Sequence, residues 1–316
     1  MVAVVALILA SSDALLQDVT ASPVVVGGGA VAAALYGKLQ RAESVFGSGL
    51  SRPFLVASEQ ETKAVDKVLW RSFCMASVMT ADALSREAFV ARRGRVDTAG
   101  APLYFLDATG FDAASSRAPA LKLPWPFAAP EAPEAVTASP RSAAPVDVDL
   151  LRTLANSGNP DAHAYVLAAD VACAASWMEA LDEVPSLSAT IVAPAEGVGL
   201  VADAGWASKR PQDLEGELST SVSVAPGLDD PDATPTGGLQ VEDLAEVAIQ
   251  CALRLPREPC RVVRVAGGGQ LSTRPNANYF AQIGGELSKA REGDVDSVDW
   301  VATLAALGEP VRDLRA

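Results

Sequence analysis

Val24-Val25-Val26-Gly27-Gly28-Gly29-Ala30-Val31-Ala32 is the stretch on which the fold turns. Three β-branched residues read as a buried strand, and Ala30 to Leu39 are good helix formers. Between them the spacing fits G-x-G-x-x-G/A, with Gly27, Gly29 and Ala32 at the three small positions. The first small residue permits a tight strand-to-helix turn, and the second lets backbone approach a pyrophosphate. The third lets the helix pack on the sheet, while the helix N-terminus offers free N–H groups to an anion. Two readings follow: a dinucleotide site, or a glycine/alanine-rich helix packed closely with no ligand. The turn can also be inherited and no longer occupied.

Working outward, strand-like runs alternate with helical ones, the pattern of a mostly parallel sheet. Pro53 to Ala57 is a second strand, and Leu103 to Leu106 a third that ends in Asp107-Ala108-Thr109-Gly110. Glu61–Arg71 and Ala81–Arg93 read as helices. Prolines crowd the alanine-rich interval 124–145, which sustains neither helix nor central strand and reads as a surface insertion. Asp147–Ala155 is a short helix, Ala164–Leu167 a strand, Val171–Leu181 a helix and Ala189–Pro194 a buried strand. Residues 203–238 are polar and rich in Gly, Pro and Asp, so they read as loops with an irregular lid. Val241–Leu253 is strongly amphipathic, Arg261–Val265 is a strand, and helices at Ala277–Arg291 and Ser297–Leu307 close the chain, the last with Ser297 as its N-cap. The expected organisation is an apolar extension at 1–21, a dinucleotide-binding domain at 22–270 and a C-terminal helical segment at 271–316. The fold class is α/β: a doubly wound parallel sheet with a small C-terminal helical lobe.

Composition narrows the function. The 316 residues are 49% hydrophobic and 20% charged, as in a globular protein. A net charge of −14 supplies no field to attract nucleic acid or an anionic membrane. One histidine, His163, excludes multi-histidine metal sites, and Cys74, Cys173, Cys251 and Cys260 show neither C-x-x-C spacing nor a disulfide framework. No metal site is expected, and the cysteine usage suits a reducing, intracellular compartment. Val2 to Ala10 is apolar but lacks a basic preceding region and is too short to span a bilayer. It reads as a first buried strand or packed helix, with a targeting remnant or membrane-surface contact as the alternative.

Few residues offer chemistry. P-loop, H-E-x-x-H and G-x-S-x-G patterns are absent. At the end of the second strand, Ser58 is a cofactor-binding candidate, but Glu59 falls late and Arg52 early, so NAD and NADP are not distinguished. Thr109 and Gly110, ending the third strand, are further cofactor-side candidates. His163 and Tyr165 are the weak catalytic candidates, each with a plain structural role as the default.

The glycine turn, the strand ending in Ala108-Thr109-Gly110, the Ala164-Tyr165 strand, Ser188-Ala189-Thr190-Ile191-Val192-Ala193-Pro194 and Gln240-Val241-Glu242-Asp243-Leu244-Ala245-Glu246-Val247-Ala248 occur in that order. This order resembles the atypical (extended) short-chain dehydrogenase/reductase family, especially its NmrA-like and plastid assembly-factor branches. The resemblance covers about residues 22–270 and implies a Rossmann-like fold with NADP(H) or NAD(H) on Gly27, Gly28, Gly29, Ala32, Ser58, Thr109 and Gly110. Family reductases pair a tyrosine with a lysine four residues on, which lowers the phenol's pKa. Here Ala169 stands four residues after Tyr165, and Ala193 replaces the arginine usual before the strand's proline. The resemblance therefore implies a dinucleotide-binding, or formerly dinucleotide-binding, pseudoenzyme. Its expected role is an accessory or assembly subunit of a protein complex, on a plastid stromal or thylakoid surface. An active NAD(P)H-dependent reductase using Tyr165 or His163, and an NADP(H)-sensing regulator, are the alternatives.

Overall fold

The computed structural model describes residues 21–27, 29–46, 53–57, 78–80, 101–110, 146–156, 162–201, 218–227, 238–272 and 298–313. In chain order these form β1 (Ala21–Val26), α1 (Ala30–Phe46), β2 (Phe54–Ala57), β3 (Val78–Thr80), β4 (Ala101–Ala108), α2 (Val148–Ala155), β5 (His163–Ala168) and α3 (Val171–Asp182). There follow β6 (Ser188–Pro194), β7 (Leu200–Val201), β8 (Leu218–Pro226), β9 (Leu239–Gln240), α4 (Val241–Arg254), β10 (Arg261–Ser272) and α5 (Trp300–Ala305).

The main sheet has eight strands in the order β3-β2-β1-β4-β5-β6-β10-β8, all parallel except β8, which runs antiparallel to β10. The chain steps outward from β1 to β3 on one side, returns beside β1 as β4, and continues the other way. That reversal makes the crevice between the C-terminal ends of β1 and β4 the topological switch point, where open α/β sheets place ligands. This is a Rossmann-like α/β fold.

Alternation along each strand explains why helices cover both faces. Val25, Phe105, Tyr165, Leu167, Val192 and Val263 point into one core with α1, α4 and α5. Val24, Tyr104, Leu106, Ala164, Val166 and Ile191 point into the other with α2 and α3. Because both faces are buried, the central strands are continuous apolar runs. Trp300, Leu304 and Leu307 of the C-terminal segment join the same core as α1 and α4.

Several local expectations are corrected. The interval 203–238, expected as loop, contains β8, whose Leu218-Ser219-Thr220-Ser221-Val222-Ser223-Val224 alternates apolar or β-branched residues with serine. Val224 enters the core and Ser223 Oγ donates to the Ala266 carbonyl at 3.5 Å. The last helix is capped by Asp299 rather than Ser297; its carboxylate accepts from the N–H groups of Val301 and Ala302. The strand expected at Ala164–Leu167 is one residue longer at each end, so His163 opens β5. The helices expected at 61–71, 81–93 and 277–291, the N-terminal run and the proline-rich interval lie outside the described residues. Among the described residues no helix is long and apolar enough to cross a membrane.

Candidate functional site

Gly27 follows β1 with φ of 135°, a conformation that side chains rarely adopt. A Cβ there would lie 2.7 Å from the Cβ of Asp107, so a side chain is excluded twice over. The parallel register sets Val26 beside Leu106, which brings the turn level with Asp107 at the end of β4. Gly29 is buried and immediately precedes α1.

The first turn of α1 contains no acidic residue, and the glycine before it has no side chain to cap the helix. Four N–H groups at any helix start need acceptors, and the dipole favours negative charge there. Asp107 meets part of that need from 75 positions away: its Oδ2 accepts the Ala32 N–H at 3.3 Å. Its Oδ1 accepts the N–H and hydroxyl of Thr109, at 3.1 and 2.5 Å. Thr109 is fully buried, and Gly110 follows with φ of 67°, turning the chain away.

The structure thus brings together Gly27, Gly29, Ala32, Thr109 and Gly110 of the expected cofactor residues. Gly28 and Ser58 lie outside the described residues. What sequence reasoning missed is the group at their centre, Asp107. The available signal was an acidic residue two places before Thr109, at the end of the strand that flanks the glycine turn.

The neighbouring helix on this edge is closed in the same way. Asp170 caps α3, its Oδ1 accepting the Cys173 N–H at 2.7 Å, and Cys173 Sγ reaches the Ala108 carbonyl at 3.6 Å. Burial pushes the Cys173 thiol pKa up, away from the thiolate.

His163 and Tyr165 sit elsewhere. Through the register Pro23–Leu103–His163, the histidine is level with a residue four places before Gly27. That is about 13 Å back along the strands, towards the opposite edge of the sheet. His163 is fully buried; its Nε2 contacts Thr190 Oγ1 at 2.9 Å and its Nδ1 has no hydrogen-bond partner. Burial, helped by the positive charges of Arg257 and Arg261, lowers its pKa to about 3, so it remains neutral. Tyr165 is stacked on Phe105 with ring centroids 5.1 Å apart and lies 4.7 Å from the His163 ring. Burial raises its phenol pKa, with Cys251 adding to the shift, which is opposite to the shift a catalytic tyrosine needs. Neither ring is brought to the glycine turn.

The Val241-Glu242-Asp243 helix start is placed internally. Glu242 and Asp243 are fully buried in the first turn of α4, where the dipole favours their charge. A Cβ on Gly267 would lie 2.8 Å from Asp243 Oδ2, so β10 makes room for this carboxylate with a glycine. Among the described residues no group of three or more His, Cys, Asp or Glu is placed to hold a metal.

No protein-family model matches the chain, and no curated protein is significantly similar to it.

Proposed function

We propose that this chain is a non-catalytic Rossmann-fold protein, a dinucleotide-binding relative whose anion position is held by its own carboxylate. Its role is that of an accessory or assembly subunit within a larger protein complex. The observation that carries the reading is the Asp107–Ala32 contact. A pyrophosphate bound in the usual manner would sit against the same helix start, beside a carboxylate. Two unit charges 4 Å apart repel by about 4 kcal/mol at an effective dielectric constant of 20, enough to weaken binding about a thousandfold. The absence of a lysine four residues after Tyr165 and the burial of both ring candidates support the same reading. The photosynthetic complex and plastid location are supported only by the sequence resemblance.

A second reading, an NADP(H) sensor or reductase, is favoured by the intact glycine geometry, since Gly27 keeps the left-handed turn and Ala32 the small side chain. NADPH and NADH titrations, followed by ligand fluorescence and melting temperature, separate the two. The wild-type chain is expected to show no shift at millimolar cofactor, and Asp107→Asn to bind measurably. Micromolar binding by the wild-type chain overturns the proposal and revives the sensor or reductase. Native size analysis of the endogenous protein tests the subunit role, and migration as a free monomer refutes it.

A further inference from the structure

Helix α4 carries Glu242, Glu246, Gln250 and Arg254 at four-residue spacing, which aligns them in one stripe. Three of them form a continuous ladder, buried except at Glu246, whose side chain is 15% exposed. Lys38 of α1 donates to Glu246 Oε2 at 2.9 Å, and Gln250 Nε2 donates to Glu246 Oε1 at 2.8 Å. Arg254 Nε donates to Gln250 Oε1 at 2.6 Å, and its Nη1 to the Arg312 carbonyl at 3.3 Å. The Arg312 N–H returns a bond to the Arg254 carbonyl at 2.9 Å. Lys38, Gln250 and Arg254 are 4%, 2% and 6% exposed, so solvent does little to screen or replace these contacts.

Gln250 is the middle rung. Its amide uses the nitrogen towards Glu246 and the oxygen towards Arg254, so its orientation is fixed only while both neighbours are in place. The ladder begins on the helix that follows the glycine turn and ends on the segment after α5. That segment is also held by Trp300, Leu304 and Leu307 in the shared core and by the Arg261–Glu309 ion pair.

We infer that this ladder is a conformational latch: it couples docking of the C-terminal segment 298–313 to the seating of α1, and with it to the glycine turn. Release of either end loosens the other, as linkage between sites requires. The inference concerns the chain alone and stands whether or not a dinucleotide binds.

Native-state hydrogen exchange on the full chain tests it. Gln250→Leu cuts the middle rung, and Lys38→Met cuts the end farthest from the C-terminal segment. Each is expected to speed exchange tenfold or more in both α1 and Trp300–Leu307, relative to the amides of β5 and β6. Glu309→Gln, which weakens another of the segment's anchors without touching the ladder, should speed exchange in the segment much more than in α1. If Lys38→Met perturbs α1 and α4 alone, or if every element accelerates equally, the latch is refuted and the ladder is a stability element only. Should Gln250→Leu fail to fold, Lys38→Met decides by itself.

Discussion

His163 gives the sharpest prediction, because its burial has a calculable pH signature. In the folded chain the ring is neutral down to about pH 3, whereas in the unfolded chain it takes up a proton near its ordinary pKa of 6.5. Above pH 6.5 both states are neutral and the group adds no pH dependence. Below it the unfolded state binds the extra proton, so stability falls by about 1.4 kcal/mol per pH unit until the folded ring titrates. At pH 5 the loss is about 2 kcal/mol, and the whole window from 6.5 to 3 is worth about 5 kcal/mol. Replacing His163 with Gln removes the titration while retaining polar atoms for Thr190. The variant is less stable at pH 8, having lost the ring's contact with Tyr165. Its disadvantage should shrink by about 2 kcal/mol between pH 8 and pH 5. Urea unfolding of both proteins across that range measures the difference, and carboxylate titrations shared by both cancel in the subtraction. Parallel stability curves would refute the claim that burial holds this ring neutral.

Three further perturbations have definite expected outcomes. Gly27→Ala forces a side chain into a φ of 135° and against the Asp107 Cβ at 2.7 Å; a loss of about 2–3 kcal/mol is expected in chemical denaturation. Lys38→Met removes the cation paired with the Glu246 carboxylate, which still accepts from Gln250, and should cost about 2 kcal/mol, while Lys38→Met with Glu246→Leu costs clearly less in a double-mutant cycle. Gly267→Ala places a methyl 2.8 Å from Asp243 Oδ2 and 2.9 Å from Leu239 Cδ1, with an expected drop of about 1–3 kcal/mol read as a lowered melting temperature.

The glycine turn was legible because its constraints are local: strand, positive φ and helix start fall within a few consecutive residues. The strands β1, β2 and β4 to β6, and their parallel arrangement, were legible because both sheet faces are covered, leaving unbroken apolar runs. β8 carries a clear two-residue alternation, but serine fills one of its faces and glycine, proline and aspartate flank it, so local composition masked the period. Amphipathicity identified α4, yet its polar stripe is buried as well. No helical period distinguishes a charged residue facing water from one facing Lys38 of another helix. Asp107 was hidden for the same reason, since the N–H it accepts, that of Ala32, lies 75 positions earlier in the chain.

That distance matters to the functional argument. A helix N-terminus left open at the switch point of a doubly wound sheet is an anion receptor, because unpaired N–H groups and the dipole act on whatever enters. The same start supplied with a carboxylate from the adjacent strand becomes a joint between two elements. In this chain Asp107 joins β4 to α1, and Asp170 caps α3 on the same edge. Asp170 belongs to its own helix start and is solvent-exposed, an ordinary local cap. Asp107 comes from another strand, and its contact with the glycine turn leaves no room for a side chain on Gly27. The glycine is therefore required whether or not a ligand ever approaches. A fingerprint sequence can persist because the joint needs it, so the motif alone does not argue for a cofactor.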